Sequence, residues 1–360
     1  MASMRFVERD IAVVSLPLVA GVAVASLAGH TTTVAWLSSF FVAAAMAACV
    51  MSSGRSVIPT CFLCFFAGVF CYSSSAAFVA PVRMISENGF AYRAVERLVS
   101  LIEGIAFPGE DTGPIVTALL TGRRGGLSGE VKAAFRMSGA SHILALSGLH
   151  LGVIYVILNK ALSFLGNSIP GRAVRSLVTV LFTGFYTLMT GCGPSTVRAF
   201  IFICLNEASR LCGGRKRSSV AVLCASLTIQ LSLNPTLISS AAFQLSYLAM
   251  AGIILLFPRL DAIYPPSARF DPMRRIWTSA MLSVSCQLFT APVAWYHFHS
   301  FPKYFLITNL IALPLSELII TSAVATVSLT ALGICPAFMV RVTDAAVCLL
   351  EFCLEAISTI

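Results

Sequence analysis

The stretch Ile11–Gly29, with the sequence IAVVSLPLVAGVAVASLAG, decides the fold class of this chain. It carries no charged residue, and a helix needs about 20 mostly apolar residues to cross the hydrocarbon core of a bilayer. Its amino-terminal flank mixes Arg5, Glu8 and Arg9, and further apolar runs follow directly. We therefore expect a retained first membrane span, because a cleaved signal peptide has a shorter apolar run and a uniformly basic flank.

The composition extends this expectation to the whole chain. Of its 360 residues, 58% are hydrophobic and 11% are charged, whereas soluble domains carry about 25% charged residues. Apolar runs lie at 11–29, 34–51, 57–80, 140–166, 174–190, 195–211, 218–233, 238–257, 275–297 and 313–334. The sequence predicts an all-α, polytopic transmembrane helical bundle of about ten spans. A weaker run at 345–360, with Glu351 and Glu355, is expected to lie at the interface or to pack on the bundle.

The loops alternate in charge. The basic residues that flank alternate ends of the runs are Arg5, Arg9, Arg55, Arg172, Arg175, Arg210, Arg215, Lys216, Arg217, Arg259, Arg269, Arg274, Arg275 and Arg341. The turns at 30–33, 191–193 and 234–237 contain no Lys or Arg. Since cytoplasmic loops are enriched in Lys and Arg, we expect a multi-pass protein with a cytoplasmic amino terminus.

The long segment 81–139 falls on the opposite side in this count and is nearly neutral. It reads as three amphipathic helices: one at 90–106, one capped by Asp111, and one at 129–138 capped by Ser128. The predicted division is an N-terminal three-span region at 1–80, an extracytoplasmic amphipathic helical segment at 81–139, a membrane core at 140–335, and an interfacial or packed helix at 336–360.

The densest group of polar residues inside an apolar run is at 139–151, GASHILALSGLHL. Ser147 and His150 share a helix face there, and Gly148 would admit a close approach by another backbone. Three interpretations remain open: a Ser–His nucleophile of an intramembrane hydrolase, hydrogen bonds between helices, and a polar stripe along a transport path. Ser147 and His150 lie on one helix with no orienting carboxylate nearby in the sequence, so we expect no catalytic residue.

Two later features also suggest a path. Arg198 lies one turn inside the run that follows Gly193-Pro194-Ser195, and it would either hold a phosphate or pair with Glu317 or another carboxylate. Asn309 and Pro314 interrupt the stretch 304–317, which indicates a broken or re-entrant helix beside a substrate path. Cys61 and Cys64 stand alone inside an apolar run, and His297 and His299 lie in an aromatic belt; neither pair predicts a metal, and we expect no cofactor.

Several of these segments together resemble one family. They are ALLTG at 118–122, GLS at 126–128, GASHILALSGLH at 139–150, GPSTVRA at 193–199, LNP at 233–235, FQLSY at 243–247 and TNLIALP at 308–314. The string SHILALSGLH is the specific part of the set. The chain thus resembles the ComEC-type competence (DNA-internalisation) membrane proteins in their membrane core.

The resemblance implies a channel in the bacterial cytoplasmic (inner) membrane that passes single-stranded DNA during natural transformation. The expected polar path is Ser141, His142, Ser147, His150, Arg198, Gln244, Ser246, Asn309 and Pro314. Guidance of DNA phosphates is expected from Arg123, Arg124, Arg136, Arg215, Lys216 and Arg217. The expected partners are single-stranded DNA, membrane lipid, a periplasmic DNA receptor, a cytoplasmic DNA-translocating ATPase and a separate nuclease subunit.

The chain also departs from the fuller family pattern. No stretch in 81–139 is rich in strands, as an oligonucleotide-binding barrel would be, and no His-X-His-X-Asp-His motif occurs. Degradation of a DNA strand is therefore not expected of this chain, and we do not expect it to be an enzyme. A transporter of a small or anionic solute remains the alternative function, since a fold does not fix its substrate.

Overall fold

The computed structural model describes residues 2–28, 32–51, 57–78, 89–144, 147–166, 168–211, 218–265, 271–299 and 303–358. These residues are almost entirely helical and contain no strand, so the predicted all-α fold class is confirmed. The helices are α1 (Ala2–Ala28), α2 (Thr32–Met51), α3 (Val57–Phe78), α4 (Phe90–Glu103), α5 (Thr112–Thr121), α6 (Gly129–Met137), α7 (Ser141–Leu144), α8 (Gly148–Ala161), α9 (Ile169–Met189), α10 (Pro194–Leu211), α11 (Ser219–Leu233), α12 (Ala241–Leu255), α13 (Phe257–Asp261), α14 (Pro272–Phe298), α15 (Phe305–Ala331) and α16 (Ala337–Ser358). Short 3₁₀ helices occupy Leu162–Leu165 and Pro235–Ser239.

The helices coincide with the apolar runs, and three described segments are long and apolar enough to cross a membrane: Val57–Ser75, Gly148–Leu165 and Phe305–Ala331. Five further apolar helical segments are shorter: Ile11–Leu27, Leu37–Met46, Thr112–Thr121, Ser219–Leu233 and Ala241–Leu255. Many large apolar side chains are exposed on these helices, for example Phe40 and Leu181. Such a surface is stable in lipid rather than in water, and the protein is a helical membrane protein. The orientation of its loops stays a prediction.

The chain forms two compact units, of which unit 1 comprises residues 1–83 and 208–254. Its core joins Leu18 and Val22 of α1, Tyr72 of α3, Leu231 of α11 and Phe243 of α12. Two glycines bring α1 and α3 together: a Cβ on Gly21 would lie 1.9 Å from the Phe65 carbonyl oxygen, and one on Gly68 would lie 2.2 Å from the Leu18 carbonyl oxygen. Small residues allow this close backbone packing between membrane helices, where dispersion rather than water exclusion drives association.

Unit 2 comprises residues 84–207 and 255–360. Its main core is built where α5 and α6 pack on α15 and α16, with Ile115, Phe135, Ile319 and Leu350 among its buried residues. Helix α5 is buried along most of its length. The three helices predicted within 81–139 are thus present, and they share one apolar core with the last two helices of the chain.

Two helix caps predicted from the sequence can be compared with the structure. Ser128 caps α6, because its hydroxyl accepts the Val131 N–H at 3.2 Å, as predicted. Asp111 occupies the predicted N-cap position of α5, but its side chain accepts no capping hydrogen bond. Beside it, the Asp344 carboxylate accepts from the Thr112 hydroxyl at 2.6 Å and from the Gly109 N–H at 2.9 Å, which ties this helix start to α16.

The structure differs from the sequence prediction at two places along the helices. The run 140–166 is divided between α7 and α8, with Ser147 as the N-cap of α8. Conversely, α15 continues without a break through Pro314, so the predicted broken or re-entrant helix at 304–317 is wrong. A proline inside a membrane helix is tolerated when neighbouring groups or local adjustments satisfy the backbone that it leaves free, and α1 and α14 likewise contain Pro17 and Pro292.

The two units divide the chain at other places than the predicted four regions. Unit 1 combines the first three helices with α11 and most of α12, both of which fall inside the predicted core region 140–335. A compact unit of the fold need not coincide with a functional region, so the division into four regions stays a prediction.

Candidate functional site

Ser147 and His150 meet at the start of α8, where they form a capping box. The Ser147 hydroxyl accepts the Leu149 N–H at 3.2 Å, and His150 Nδ1 accepts the Ser147 N–H at 3.1 Å. The same hydroxyl lies 3.0 Å from His150 Nδ1. A capping box satisfies backbone N–H groups that the first turn of a helix leaves free. The first chemical role of this Ser–His pair is therefore to start α8 after the preceding break.

The other nitrogen of the His150 ring has no such role. Because Nδ1 accepts a backbone N–H, a neutral ring carries its proton on Nε2. His150 is 2% exposed, and Nε2 has no hydrogen-bond partner among the described residues. Buried polar groups in proteins nearly always have a partner. Nε2 is therefore a donor positioned for a group other than the described side chains.

Gly148 brings the start of α8 against the start of α10. A Cβ on Gly148 would lie 3.1 Å from Arg198 Nη2, 3.3 Å from Ala199 Cβ and 3.6 Å from the Ser195 carbonyl oxygen. The predicted close approach at Gly148 is thus present. We call Ser147, Gly148, His150 and Arg198 the His150 cluster. Two helix amino termini and a guanidinium group accumulate positive potential there.

The segment that contains Asn309 meets the same part of unit 2 from α15. The Thr308 hydroxyl donates to the Ser138 carbonyl at 2.7 Å, directly before Gly139 opens the polar stretch. Asn309 Oδ1 is buried and has no hydrogen-bond partner among the described residues, whereas Pro314 is exposed. The Thr308 hydrogen bond therefore brings the 308–314 segment beside the 139–150 segment. The side-chain oxygen of Asn309 remains an acceptor without a partner among the described residues.

The remaining predicted path residues are more scattered. Ser141 and His142 are exposed, with the Ser141 hydroxyl 3.4 Å from the Phe135 carbonyl oxygen and His142 Nδ1 3.1 Å from that of Gly139. Gln244 and Ser246 belong to unit 1, where the Gln244 amide donates to the Ile238 carbonyl at 2.7 Å. Within unit 2 the structure joins the segments at 139–150, 193–199 and 308–314, while 233–247 is part of unit 1.

A second buried polar group lies beside Ser246 in the fold of unit 1. The Tyr247 hydroxyl donates to Gln230 Oε1 at 2.9 Å and contacts the Ser226 hydroxyl at 3.2 Å. All three side chains are buried. We call Ser226, Gln230 and Tyr247 the Tyr247 cluster. Its polar groups bind one another across α11 and α12, as hydrogen bonds between membrane helices commonly do.

The arginines predicted to guide DNA phosphates differ in the contacts that they make with other residues. Arg123 forms an ion pair with Glu96 at 2.7 Å and lies 5.4 Å from the centre of the Tyr92 ring. This hydrogen-bonded contact with Arg123 lowers the pKa of the Glu96 carboxyl. Arg124 Nε donates to the Leu144 carbonyl at 3.1 Å. Arg136 is exposed on α6, and Arg215, Lys216 and Arg217 lie outside the described residues.

The alternative pairing of Arg198 with Glu317 is not formed, since Glu317 is exposed and makes no ion pair within the described part of the chain. A different carboxylate is buried. Glu207, 2% exposed, accepts the Tyr155 hydroxyl at 2.5 Å and the Ser176 hydroxyl at 2.6 Å. Glu207 lies inside the apolar run 195–211, but nothing in the sequence near Tyr155 or Ser176 indicated that α8 and α9 supply its hydrogen-bond donors.

No metal site emerges from the ligating side chains. Among the described residues, no three His, Cys, Asp or Glu side chains come together as a metal ion would require. Cys61 of the CxxC pair instead contacts the Val13 carbonyl oxygen at 3.8 Å. His297 lies edge-on to Tyr296 within the aromatic stretch that ends α14.

Comparison with known proteins gives matches over most of the chain. The family described as "Competence protein" matches residues 119–360. The chain is 30% identical over 261 residues to "ComE operon protein 3" of Bacillus subtilis (strain 168), covering 71% of this chain and 32% of that protein. It is 26% identical over 206 residues to "Uncharacterized protein YcaI" of Escherichia coli (strain K12), covering 56% of this chain and 27% of that protein.

A third relative, an "Uncharacterized protein" of Aquifex aeolicus (strain VF5), is 33% identical over 130 residues, which is 36% of this chain and 29% of the relative. The chain thus spans about a third of the length of the curated relatives that it matches. None of the solved structures matches it. The family match contains the whole of α8, α10 and α15, and with them the His150 cluster.

Proposed function

We propose a function from the premise that this chain belongs to the competence protein family. The chain takes part in DNA uptake by passing single-stranded DNA across the cytoplasmic membrane during natural transformation. The observation that carries the proposal is the convergence, in unit 2, of the starts of α8 and α10 around Gly148 and Arg198. That arrangement suits a phosphate group. The relatives are about three times as long as the matched part, so the activity of the whole protein belongs to this proposal.

The electrostatic argument begins with the helix ends. The amino terminus of a helix carries a partial positive charge of roughly half an elementary charge, and its free N–H groups bind anions. Two such ends and the Arg198 guanidinium group together form a positively charged surface that attracts an anion. A DNA strand supplies one negative charge with each nucleotide, and cationic guidance is the general means by which proteins hold a strand. Arg198 is therefore proposed as the phosphate contact within the path.

The hydrogen-bonding argument is independent of charge. His150 Nε2 and Asn309 Oδ1 are a buried donor and a buried acceptor without hydrogen-bond partners among the residues that the structure describes. An ionisable or polar side chain among membrane helices is costly unless it pairs or faces a hydrated route. Water in such a route, or the edge of a passing base, would satisfy both atoms. We propose that His150 and Asn309 line the path, together with Ser147 and the more exposed Ser141 and His142.

The remaining assignments are parts of the same proposal. Arg123, Arg124 and Arg136 would meet the strand at one mouth, and Arg215, Lys216 and Arg217 at the cytoplasmic exit. The proposed partners are a periplasmic DNA receptor, a cytoplasmic DNA-translocating ATPase and a separate nuclease subunit, since we assign no strand degradation to this chain. Gln244, Ser246 and Pro314 are retained as path residues in the proposal, with an amino terminus on the cytoplasmic side of the inner membrane.

A transporter of a small or anionic solute is the second candidate, because the convergent helix ends around Arg198 would equally hold a free phosphate. A hydrolase is a third, since the Ser147 hydroxyl lies 3.0 Å from His150 Nδ1. The capping box argues against it, because Nδ1 already accepts a backbone N–H and so is a weaker base for the hydroxyl proton. A fluorophosphonate probe should leave Ser147 unlabelled, and labelling there would establish a nucleophile.

The test is uptake by proteoliposomes that contain the purified full chain. Fluorescent single-stranded DNA is added outside, with radiolabelled inorganic phosphate as the competing solute class. We expect nuclease-protected DNA to accumulate, and to fall in Arg198→Gln but not in Arg341→Gln, an exposed arginine of α16. Accumulation of phosphate without DNA would replace the channel with the solute transporter. No Arg198 dependence in a well-inserted protein would overturn the path assignment.

A further inference from the structure

An apolar cavity of about 540 Å³ opens in unit 2 where α4 meets α8, α9 and α15. Its walls include Leu98, Leu120, Ile154, Phe185 and Val327. Pockets that hold small organic ligands have volumes of about 300–1,000 Å³, so the cavity is large enough for part of a lipid chain. Nothing in the proposed DNA path uses it.

Two arginines stand at the edge of this apolar cavity. Arg93 and Arg97 both line it, and they are four residues apart on α4, so they project from one helix face. Both are exposed. Neither side chain forms a hydrogen bond or an ion pair with any residue that the structure describes. This differs from Arg123, whose charge is balanced by Glu96 of the same helix α4.

Two walls of the cavity belong to segments that are long and apolar enough to span a membrane: Gly148–Leu165, which supplies Ile154, and Phe305–Ala331, which supplies Val327. Phe90 is 72% exposed and Phe182 is 46% exposed, so the cavity adjoins an apolar surface. A lipid chain can enter such a slot at little cost, because its methylenes exchange one apolar environment for another.

Charge selects the headgroup. Arginine binds phosphate with charge-assisted hydrogen bonds that fix geometry as well as adding energy, and basic pockets between membrane helices are typical sites for anionic lipid headgroups. We propose that this cavity binds an anionic phospholipid, with an acyl chain between α4, α9 and α15 and its phosphate on Arg93 and Arg97. A DNA strand is a poor occupant, because the Tyr186 hydroxyl in the wall already donates to the Leu120 carbonyl at 2.7 Å and the remaining walls are mainly apolar.

Bound lipid would also affect the ion pair between Glu96 of α4 and Arg123. Glu96, which holds Arg123, lies between Arg93 and Arg97 in sequence, so a lipid that fixes α4 fixes the position of that ion pair. The proposal does not depend on DNA transport, since it concerns a different cavity and a different ligand.

Native mass spectrometry of the purified full chain tests it directly. The protein is exchanged into detergent with equal amounts of phosphatidylglycerol and phosphatidylcholine of identical acyl chains. Both lipids carry the phosphate, but the choline ammonium group of phosphatidylcholine cancels its charge beside the two arginines, so we expect phosphatidylglycerol to be retained about tenfold over phosphatidylcholine. Equal retention of the two lipids by the unchanged protein would overturn the proposal without any variant.

Variants locate the site. Arg93→Gln combined with Arg97→Gln should abolish the preference for phosphatidylglycerol, and Arg341→Gln, an exposed arginine that does not line the cavity, should preserve it. Ala94→Phe narrows the cavity, keeps both arginines and should reduce retention of either lipid. An unchanged preference in the double variant, or displacement of the lipid by a single-stranded oligonucleotide, would contradict a lipid site at this place.

Discussion

The Tyr247 cluster of unit 1 and the His150 cluster of unit 2 are both polar groups buried among apolar helices, but their atoms have different partners. In the Tyr247 cluster, the tyrosine hydroxyl reaches both Gln230 and Ser226. In the His150 cluster, Nδ1 serves the cap of α8 while Nε2 has no partner among the described residues. Hydrogen bonds inside the first cluster hold helices together. The second cluster leaves one buried donor, His150 Nε2, unpartnered among the described residues, and in our proposal that donor faces the path.

The difference separates two uses of polarity in a membrane protein. A mutually satisfied cluster contributes to stability by about 0.6 kcal/mol for each interhelical hydrogen bond, with wide scatter. An unsatisfied buried group costs about 1–3 kcal/mol, and such a cost persists where function requires it. Variants in the two clusters should therefore separate stability from transport.

The largest effect on uptake should come from Arg198. In Arg198→Gln the helix termini of α8 and α10 remain, but the charge that would hold a phosphate is lost. We expect DNA uptake to fall about 10- to 100-fold, the value of a hydrogen bond to a charged group, with unfolding in detergent little changed. Nuclease-protected DNA in proteoliposomes measures the first quantity and thermal unfolding the second. A parallel loss of folded protein would reduce Arg198 to a structural role.

Gly148 gives a matched pair for the same comparison. A Cβ on Gly148 would press on Arg198 and Ala199, whereas a Cβ on Gly152, also in α8, would meet nothing within 4 Å. Gly148→Ala should lower uptake several-fold by displacing Arg198, and Gly152→Ala should leave uptake unchanged while stabilising the helix by about 0.5–1 kcal/mol. Equal uptake by the two variants would remove the geometric argument at Gly148.

His150→Gln tests the roles of the two ring nitrogens separately. Glutamine at the third helical position still completes a capping box with serine, so the start of α8 should be kept. The imidazole N–H is replaced by a glutamine amide that donates from a different position, and we expect uptake to fall by about tenfold with a normal melting temperature. His150→Ala removes the cap and every donor and should lower both quantities. Full uptake by the glutamine variant would show that the path does not need the imidazole ring.

Tyr247→Phe probes the satisfied cluster. The hydroxyl that joins Gln230 and Ser226 is removed, and the free energy of unfolding should fall by about 1 kcal/mol. Uptake per folded molecule should stay at the level of the unchanged protein. Chemical unfolding in detergent, followed by circular dichroism, measures the stability. A specific loss of uptake at full stability would place the Tyr247 cluster in the path.

The smallest effect should come from Glu96 on α4. Arg123 lowers the pKa of this carboxyl, so the ion pair stabilises the fold fully above the ordinary pKa of a glutamate and loses its contribution as the pH falls through the lowered value. The melting temperatures of the unchanged protein and of Glu96→Gln should therefore converge in acid. A difference between them that grows as the pH falls would contradict this ion pair.

Much of the fold could be predicted from local patterns, because membrane helices require only long apolar runs and their flanks. Ser128 as a cap and the turn at 234–237 are local signals that the structure reproduces. The continuous helix through Pro314 was mispredicted, since the neighbours of α15 in space, and not the proline alone, decide whether a break is tolerated. Asp111 stands at the predicted cap position without a capping bond, and no pattern around position 111 pointed to Asp344 of α16, whose carboxylate accepts from the Thr112 hydroxyl.

The candidate site was found only in part. Ser147, His150, Arg198 and Asn309 stood out because polar residues are rare inside apolar runs. Their arrangement did not follow from the sequence: the break before α8 made Ser147 a cap, and the roles of Tyr155 and Ser176 depended on which helices surround Glu207. Arg123 was predicted as a free cation, but Glu96 and Tyr92 engage it from α4.

The sequence by itself determined that this is an all-helical membrane protein of the competence family, because apolar length, charge at loops and the 139–150 string are properties of consecutive residues. Only the tertiary structure decided which polar atoms are satisfied. That question depends on distances between helices far apart in the chain, such as Gly148 to Arg198, Thr308 to Ser138 and Tyr247 to Gln230. Those distances made one polar cluster part of the packing and left the other with a buried donor, His150 Nε2, that has no partner in the described part of the chain.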